Sequence, residues 1–455
     1  MPPDELVEIE REQIEIDRRR FLIGLGAAAG GVALGGCHRF RRATVSAPER
    51  DAQVIVVGAG LAGLVCALRI KQAGVSVRLV EAQNRLGGRV LSLRGFFPED
   101  QVADLGGEFV GGGDQRFVAL AEELGVPLDD LGDDDPALAS VVWHFEGRSY
   151  GEREIVDALR PIAVRIRADL AKREREGPIY YDDPNGMEEV DKLSVADWLD
   201  RAGANGWVRS LIETAWTAEY GVEPGGQSAL NLVLALDERA ERRIGGRERR
   251  FRVRGGADLL VKALGSRLEE EIEMGSRVEA VRELPSWAWT VTARRDSRSR
   301  ELSAAHLVLA LPFPLLREMK IETALPPIKR YAIDHLPYGT GAKLLLGFRE
   351  HGWRSVHRAR GTVVSDLGFQ TAWEACRGAH AGVIANQAGG ERGLELGKGT
   401  LAQQTDLLLG DLDLVFPGIA PARTRGRAAR MFWPAHPFAK GSRSTYGPAQ
   451  WTLFG

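Results

Sequence analysis

The sequence predicts an α/β fold. Three observations predict it. A buried strand near residue 55 runs directly into a glycine loop and a helix. Alternating and buried strand patterns return between residues 276 and 312. The stretch between them carries helical periodicity, as in Ile155, Ala158, Leu159, Ile162, Ile166 and Leu170 on one apolar face.

Val54 to Val57 form a short apolar run of β-branched residues, the pattern of a strand covered on both faces. Gly58, Gly60 and Gly63 follow in G-x-G-x-x-G spacing around Leu61 and Ala62, and Leu64 to Gln72 read as a helix. Gly58 suits the tight turn, Gly60 the approach of backbone to a pyrophosphate, and Gly63 the packing of helix on strand. The helix start offers unpaired N–H groups and the positive end of its dipole to phosphates. Gly74 ends the helix, Val75 to Val80 form a second strand, and Glu81 and Ala82 follow it. A carboxylate about 20 positions after the loop accepts from ribose hydroxyls, so the unit is expected to bind an adenine dinucleotide without a 2′-phosphate.

The chain has 455 residues, enough for two or three domains, with 44% hydrophobic and 27% charged residues. A net charge of −3 gives no reason to expect nucleic acid or an anionic surface as partner. Cys37, Cys66 and Cys376 make no disulfide framework, no metal-ligand cluster is spaced along the chain, and no Ser/His/Asp set has nucleophile spacing.

The N-terminus reads as an address. Arg18-Arg19-Arg20-Phe21-Leu22 precedes a weakly apolar Gly/Ala stretch to Gly36, too short and glycine-rich for a membrane span. The arginines resemble a twin-arginine signal, and Leu34-Gly35-Gly36-Cys37 resembles a lipobox. Residues 1–37 are thus expected to engage the twin-arginine export machinery, with lipidated Cys37 as a membrane tether and 38–51 as a linker. The expected location is periplasmic or attached to the cell envelope. The alternative, with a cytoplasmic protein, is an amphipathic N-terminal helix and a flexible linker; the acidic segment Asp4 to Asp17 favours it.

Beyond Glu81, Arg85-Leu-Gly87-Gly88-Arg89 places two cations around a tight backbone turn, a plausible anion grip. Asp104-Leu-Gly106-Gly107-Glu108 offers another close backbone approach, to a flat ligand, and Arg116 to Leu124 reads as a helix. Together with the glycine loop, these residues resemble the flavin-containing amine oxidase family. The resemblance implies FAD, bound non-covalently: Glu81 on the adenosine ribose, Arg85 and Arg89 near the diphosphate, and Gly106 and Gly107 beside the isoalloxazine, with Glu108 also among the cofactor-binding residues. It extends through Val253 to Leu260, Val278 at the adenine, and a strand from His306 to Pro312. It continues over Leu336 to Lys343 and Gly347 to Trp353, where Lys343 is implied to hold a water near flavin N5.

Met431-Phe-Trp433 and Pro437 to Gly441 resemble the segment beside the flavin, with Tyr446 expected to approach the ring. Trp216, Glu219 and Tyr220 are candidates for a substrate cavity. The implied organisation gives FAD-domain parts at 52–114, 247–312 and 441–455, and substrate-domain parts at 115–246 and 313–440. The substrate domain would combine helices with a mostly antiparallel sheet. The family pattern continues past the equivalent of Gly455 into a last FAD segment absent from these residues; if the reading frame stops there, weak FAD retention and little turnover are expected. The implied reaction oxidises the C–N bond of a primary, secondary or polyamine with O2, giving imine or aldehyde, ammonia or amine, and H2O2. The alternatives are an L-amino acid oxidase, a flavin desaturase or an inactive FAD-binding protein.

Overall fold

The computed structural model describes residues 7–9, 51–236, 249–285, 288–376 and 380–455. The arginines at 18–20, the apolar stretch to Gly36, Cys37, the tether to residue 50, the boundary at 246–247 and Trp287 lie outside the described residues.

Ala52–Val57 sits inside a seven-stranded sheet, parallel to Val77–Val80 on one side and to the second half of Arg298–Leu309 on the other. Both faces are covered, which is why the strand is apolar throughout. Val54 and Val56 pack with Leu64, Ala67 and Leu68 of the helix Leu61–Gln72, while Ile55 and Val57 pack with Val278, Val281 and Val291. Arg69 and Lys71 stand in the helix's last turn, where cations complement the dipole.

One strand differs from the sequence reading, which began it at His306. Arg298–Leu309 is a single twelve-residue strand. Neither Gly nor Pro interrupts it. Its first half pairs antiparallel with Trp289–Arg295 and its second half parallel with Ala52–Val57, so one strand serves both a hairpin and the parallel core.

The second domain holds an eight-stranded sheet in the order Val7–Ile9, Arg423–Phe432, Ala342–Phe348, Gly382–Ala388, Thr371–Glu374, Val363–Ser365, Val142–Phe145 and Arg148–Tyr150. Its pairings are antiparallel except that between Val142–Phe145 and Val363–Ser365. Helices Glu152–Leu170, Val195–Ala202, Gly206–Tyr220 and Ala229–Val233 share a core around Ile166, Trp198, Leu211 and Leu230. Ser194, the small hydroxyl residue directly before its helix, caps it: its Oγ accepts from Asp197 N at 3.0 Å, and Asp197 Oδ2 accepts from Ser194 N at 3.2 Å.

Two segments sit elsewhere than expected. Val7–Ile9, assigned to a leader or a helix, is an edge strand on Arg423–Phe432. Its alternation explains this: Val7 and Ile9 pack on the apolar cluster around Met431, and Glu8 pairs with the buried guanidinium of Arg430. The C-terminal residues, expected with the FAD domain, lie largely on the helical core. The helix Gln450–Phe454 packs against Glu188–Asp191 and Pro327–His335, with Trp451 on the Trp198 cluster. No helix among the described residues is long and apolar enough to cross a membrane.

Candidate active site

The helix Leu61–Gln72 begins at the end of the strand Ala52–Val57 and opens onto a cavity of about 440 Å³. Gly58, Gly60, Leu61, Ala62, Glu81, Ala82, Gly87, Gly88, Arg89, Val278 and Pro312 all line it. Gly63 does not. A Cβ there would collide with the Gly58 carbonyl, so its part is to let helix and loop close on each other. A Cβ on Gly60, by contrast, meets nothing within 4 Å, because that backbone faces the cavity.

Glu81 is buried, accepting from Ala59 N at 2.7 Å and Gln83 N at 2.8 Å. Burial raises its carboxyl above the usual range. Gln83, which the sequence reading passed over, also lines the cavity, and its buried Oε1 has no hydrogen-bond partner among the described residues. Position was the available signal: Gln83 stands two residues after the acidic end of the second strand.

A second cavity of about 390 Å³ shares Arg89 and Val90 with the first. Gly106, Gly107, Glu108, Lys343 and Trp433 line it, joined by Glu219, Gln387, Ser442 and Arg443. Arg89 thus stands where the two meet. Its Nη1 donates to Ser442 O at 2.8 Å, and burial pulls the guanidinium below its ordinary range. Lys343 is 5% exposed and donates to Asp104 O and Gly106 O, both at 2.9 Å, and to Glu108 Oε2 at 3.0 Å. Trp433 Nε1 donates to Leu105 O at 3.2 Å, fixing its ring beside the same turn.

Two expected residues are corrected. Tyr446 lines neither cavity; it packs on Trp451 at 4.4 Å between centroids, and its carbonyl accepts from Ser228 N. Arg443 reaches the cavity instead, paired with Glu219 and 4.7 Å from the Tyr220 ring centroid. Arg85 likewise lines neither cavity. Its Nη2 donates to Gly88 O at 2.7 Å, so it braces the turn that presents Gly87, Gly88 and Arg89. Of the aromatic candidates in the helix Gly206–Tyr220, Trp216 is a core residue whose Nε1 donates to Asn231 O at 3.1 Å.

The arrangement fits an extended dinucleotide. One end offers an orphaned amide oxygen and a buried carboxylate. The middle offers a helix N-terminus and a buried guanidinium, and the far end a bare Gly107 backbone beside an ammonium. No group of three or more His, Cys, Asp or Glu side chains among the described residues is placed to hold a metal ion. Cys376, buried with its thiol donating to Val102 O and pushed up to about 12 by burial, lines neither cavity.

Two buried groups nearby oppose each other in pH dependence. Burial, and then Glu108, raise Asp104 from 3.8 to about 6; burial, and then Arg85, lower His436 from 6.5 to about 4. The folded state therefore holds an extra proton at Asp104 between these limits, so stability falls as pH rises through that window. At His436 it lacks one, so stability rises with pH. The wild type should show a shallow profile, whereas His436→Asn, which leaves the raised carboxyls of Asp104 and Glu81 unopposed by the imidazole, should be more stable at about pH 5 than at about pH 7. Urea midpoints at the two pH values check this.

The two-domain α/β fold is that of FAD-binding amine oxidases. The flavin containing amine oxidoreductase model matches residues 61–454, and the chain belongs to that family, whose cofactor is FAD. A flavin-containing amine oxidase of Oncorhynchus mykiss is 26% identical over 316 residues, covering 66% of this chain and 58% of its own length. An L-amino acid dehydrogenase of Synechocystis is 24% identical over 438 residues, covering 90% of this chain and 87% of its own. The structure of a putrescine oxidase mutant superposes with a TM-score of 0.77 at 18% identity, over 89% of each chain.

Proposed function

We propose that the protein is an FAD-dependent oxidase of amines. It would take the C–N bond of a primary, secondary or polyamine to imine or aldehyde, releasing ammonia or amine and H2O2. The observation that carries the reading is the pair of cavities that share Arg89 and Val90 in their walls, with Lys343 beside Gly106–Gly107 in the second. Glu81 and Gln83 would hold the adenosine, the N-terminus at Leu61–Ala62 and Arg89 the diphosphate, and Gly106–Gly107 with Trp433 the flat ring. FAD, when bound, supplies the two-electron acceptor that dioxygen regenerates. The chain's own residues exclude water, orient the amine and set the local charge. Non-covalent binding is favoured, since neither Cys66 nor Cys376 lines a cavity.

A second reading, oxidation of L-amino acids, has a specific support. Arg443 lines the ring-side cavity, where a guanidinium can pair a substrate carboxylate, although Glu219 occupies it. Peroxide release measured over panels of amines and L-amino acids separates the two. The expected result is turnover of amines, with Arg443→Ala changing amine KM by less than about threefold. If amino acids are the substrates, that variant should raise their KM by about tenfold or more. A colourless protein, or peroxide from neither panel, would sink both.

Export stays a proposal resting on Arg18–Arg20, the stretch to Gly36 and Cys37. It includes engagement of the twin-arginine machinery and a lipid tether. Cell fractionation of the full chain against an Arg18→Lys/Arg19→Lys/Arg20→Lys variant tests it; an unchanged cytoplasmic distribution of both would overturn it.

A further inference from the structure

The ring-side cavity is walled by a buried charge cluster drawn from four parts of the chain. Lys343 Nζ has three donors, and all three are engaged: by the carbonyls of Asp104 and Gly106 and by Glu108 Oε2. Its ammonium therefore shows the cavity no free N–H in this arrangement. Of its three acceptors only Glu108 is charged, and only Glu108 is a side chain.

Glu108 is itself fully used. Oε2 accepts from Lys343 and, at 3.2 Å, from Trp373 Nε1; Oε1 accepts from the same indole at 3.1 Å and from Arg252 at 3.3 Å. Its side chain is 1% exposed. The Trp373 ring lies 5.1 Å from Nζ, closing another side of the ammonium. A merely structural ion pair needs only Glu108 and Arg252. The geometry adds a lysine at the cavity wall whose last donor is tied by a carboxylate that Arg252 and Trp373 hold from behind.

We propose that Glu108 is a positioning residue for Lys343: it fixes the ammonium against the Gly106–Gly107 turn, and loss of this one bond lets the ammonium leave that position. The statement rests on the proposed oxidase function for its kinetic consequence, but not for its structural one. Glu108→Gln keeps an oxygen for Arg252 or Trp373 and removes the charge that holds Lys343. Glu108→Asp keeps the charge on a shorter arm.

The test has two readouts. Acetic anhydride labelling of the full chain, with and without FAD, is read by mass spectrometry at Lys343 against exposed Lys262. Glu108→Gln should raise Lys343 labelling about ten- to hundredfold, the weight of a lost charge-assisted hydrogen bond, and Glu108→Asp should restore it to within about threefold of wild type. In turnover, Glu108→Gln should lower kcat by about ten- to hundredfold with KM changed less than about twofold, and should have no further effect in a Lys343→Met background. Unchanged labelling in Glu108→Gln overturns the proposal, as does a kcat loss of the same size in the Lys343→Met background. If the wild type oxidises neither amines nor amino acids, the oxidase function falls while labelling still decides the role of Glu108.

Discussion

Gly63→Val is expected to yield a protein that neither folds stably nor carries flavin. A Cβ at residue 63 lands on the Gly58 carbonyl and 3.2 Å from the Ala310 Cβ, so the helix must move off the strand end. That displacement costs at least the ~1–3 kcal/mol of an overpacked core and misaims the helix start. Gly60→Ala separates this effect from a steric one on the ligand alone. Nothing of the protein lies within 4 Å of the new methyl, so the thermal midpoint should stay within about 3 °C. FAD affinity should still fall about tenfold or more, because the methyl stands where the pyrophosphate approaches. Flavin absorbance after gel filtration and the melting midpoint measure the two effects; a yellow Gly63→Val protein of normal stability would contradict the packing argument.

Lys343→Met should lower turnover by about a hundred- to a thousandfold while flavin remains bound. A buried ammonium beside the site of developing charge is worth that much in a water-poor cavity. Met fills a similar volume, and Glu108 keeps Arg252 and Trp373, so no buried charge is stranded. The carbonyls of Asp104 and Gly106 each lose a donor, which costs about 1–3 kcal/mol of stability. Steady-state peroxide release together with the bound-flavin spectrum checks this, and turnover within about threefold of wild type would remove Lys343 from the chemistry.

What the sequence made legible was what local rules govern. The strand, glycine loop and helix at 52–72 follow from β-branching, three glycine spacings and helical periodicity, and they stand where those rules place them. The Ser194 cap is legible for the same reason. Arg85 and Arg89 were not separable, because the turn between them depends on Gly87 at φ 100° and Gly88 at φ 56°, and the two guanidinium groups find different partners, Gly88 O and Ser442 O. Tyr446 and Arg443 sit three residues apart in a stretch without helix or strand, so no periodicity says which one faces the cavity. The Glu108–Arg252 contact joins positions 144 apart through strand pairing, and nothing in either neighbourhood announces the other. Gln83 carried a positional hint only.

The anchoring of Arg89 has a consequence for the order of events during folding. The carbonyl that holds it belongs to Ser442, 353 positions away, a contact of very long loop closure. The glycine loop and its helix are local and form early, but the cation proposed for the diphosphate is set only after almost all of the described chain has come together. Cofactor capture should therefore be a late step, following assembly of both sheets, and the nascent N-terminal unit alone should offer FAD a helix end without its guanidinium.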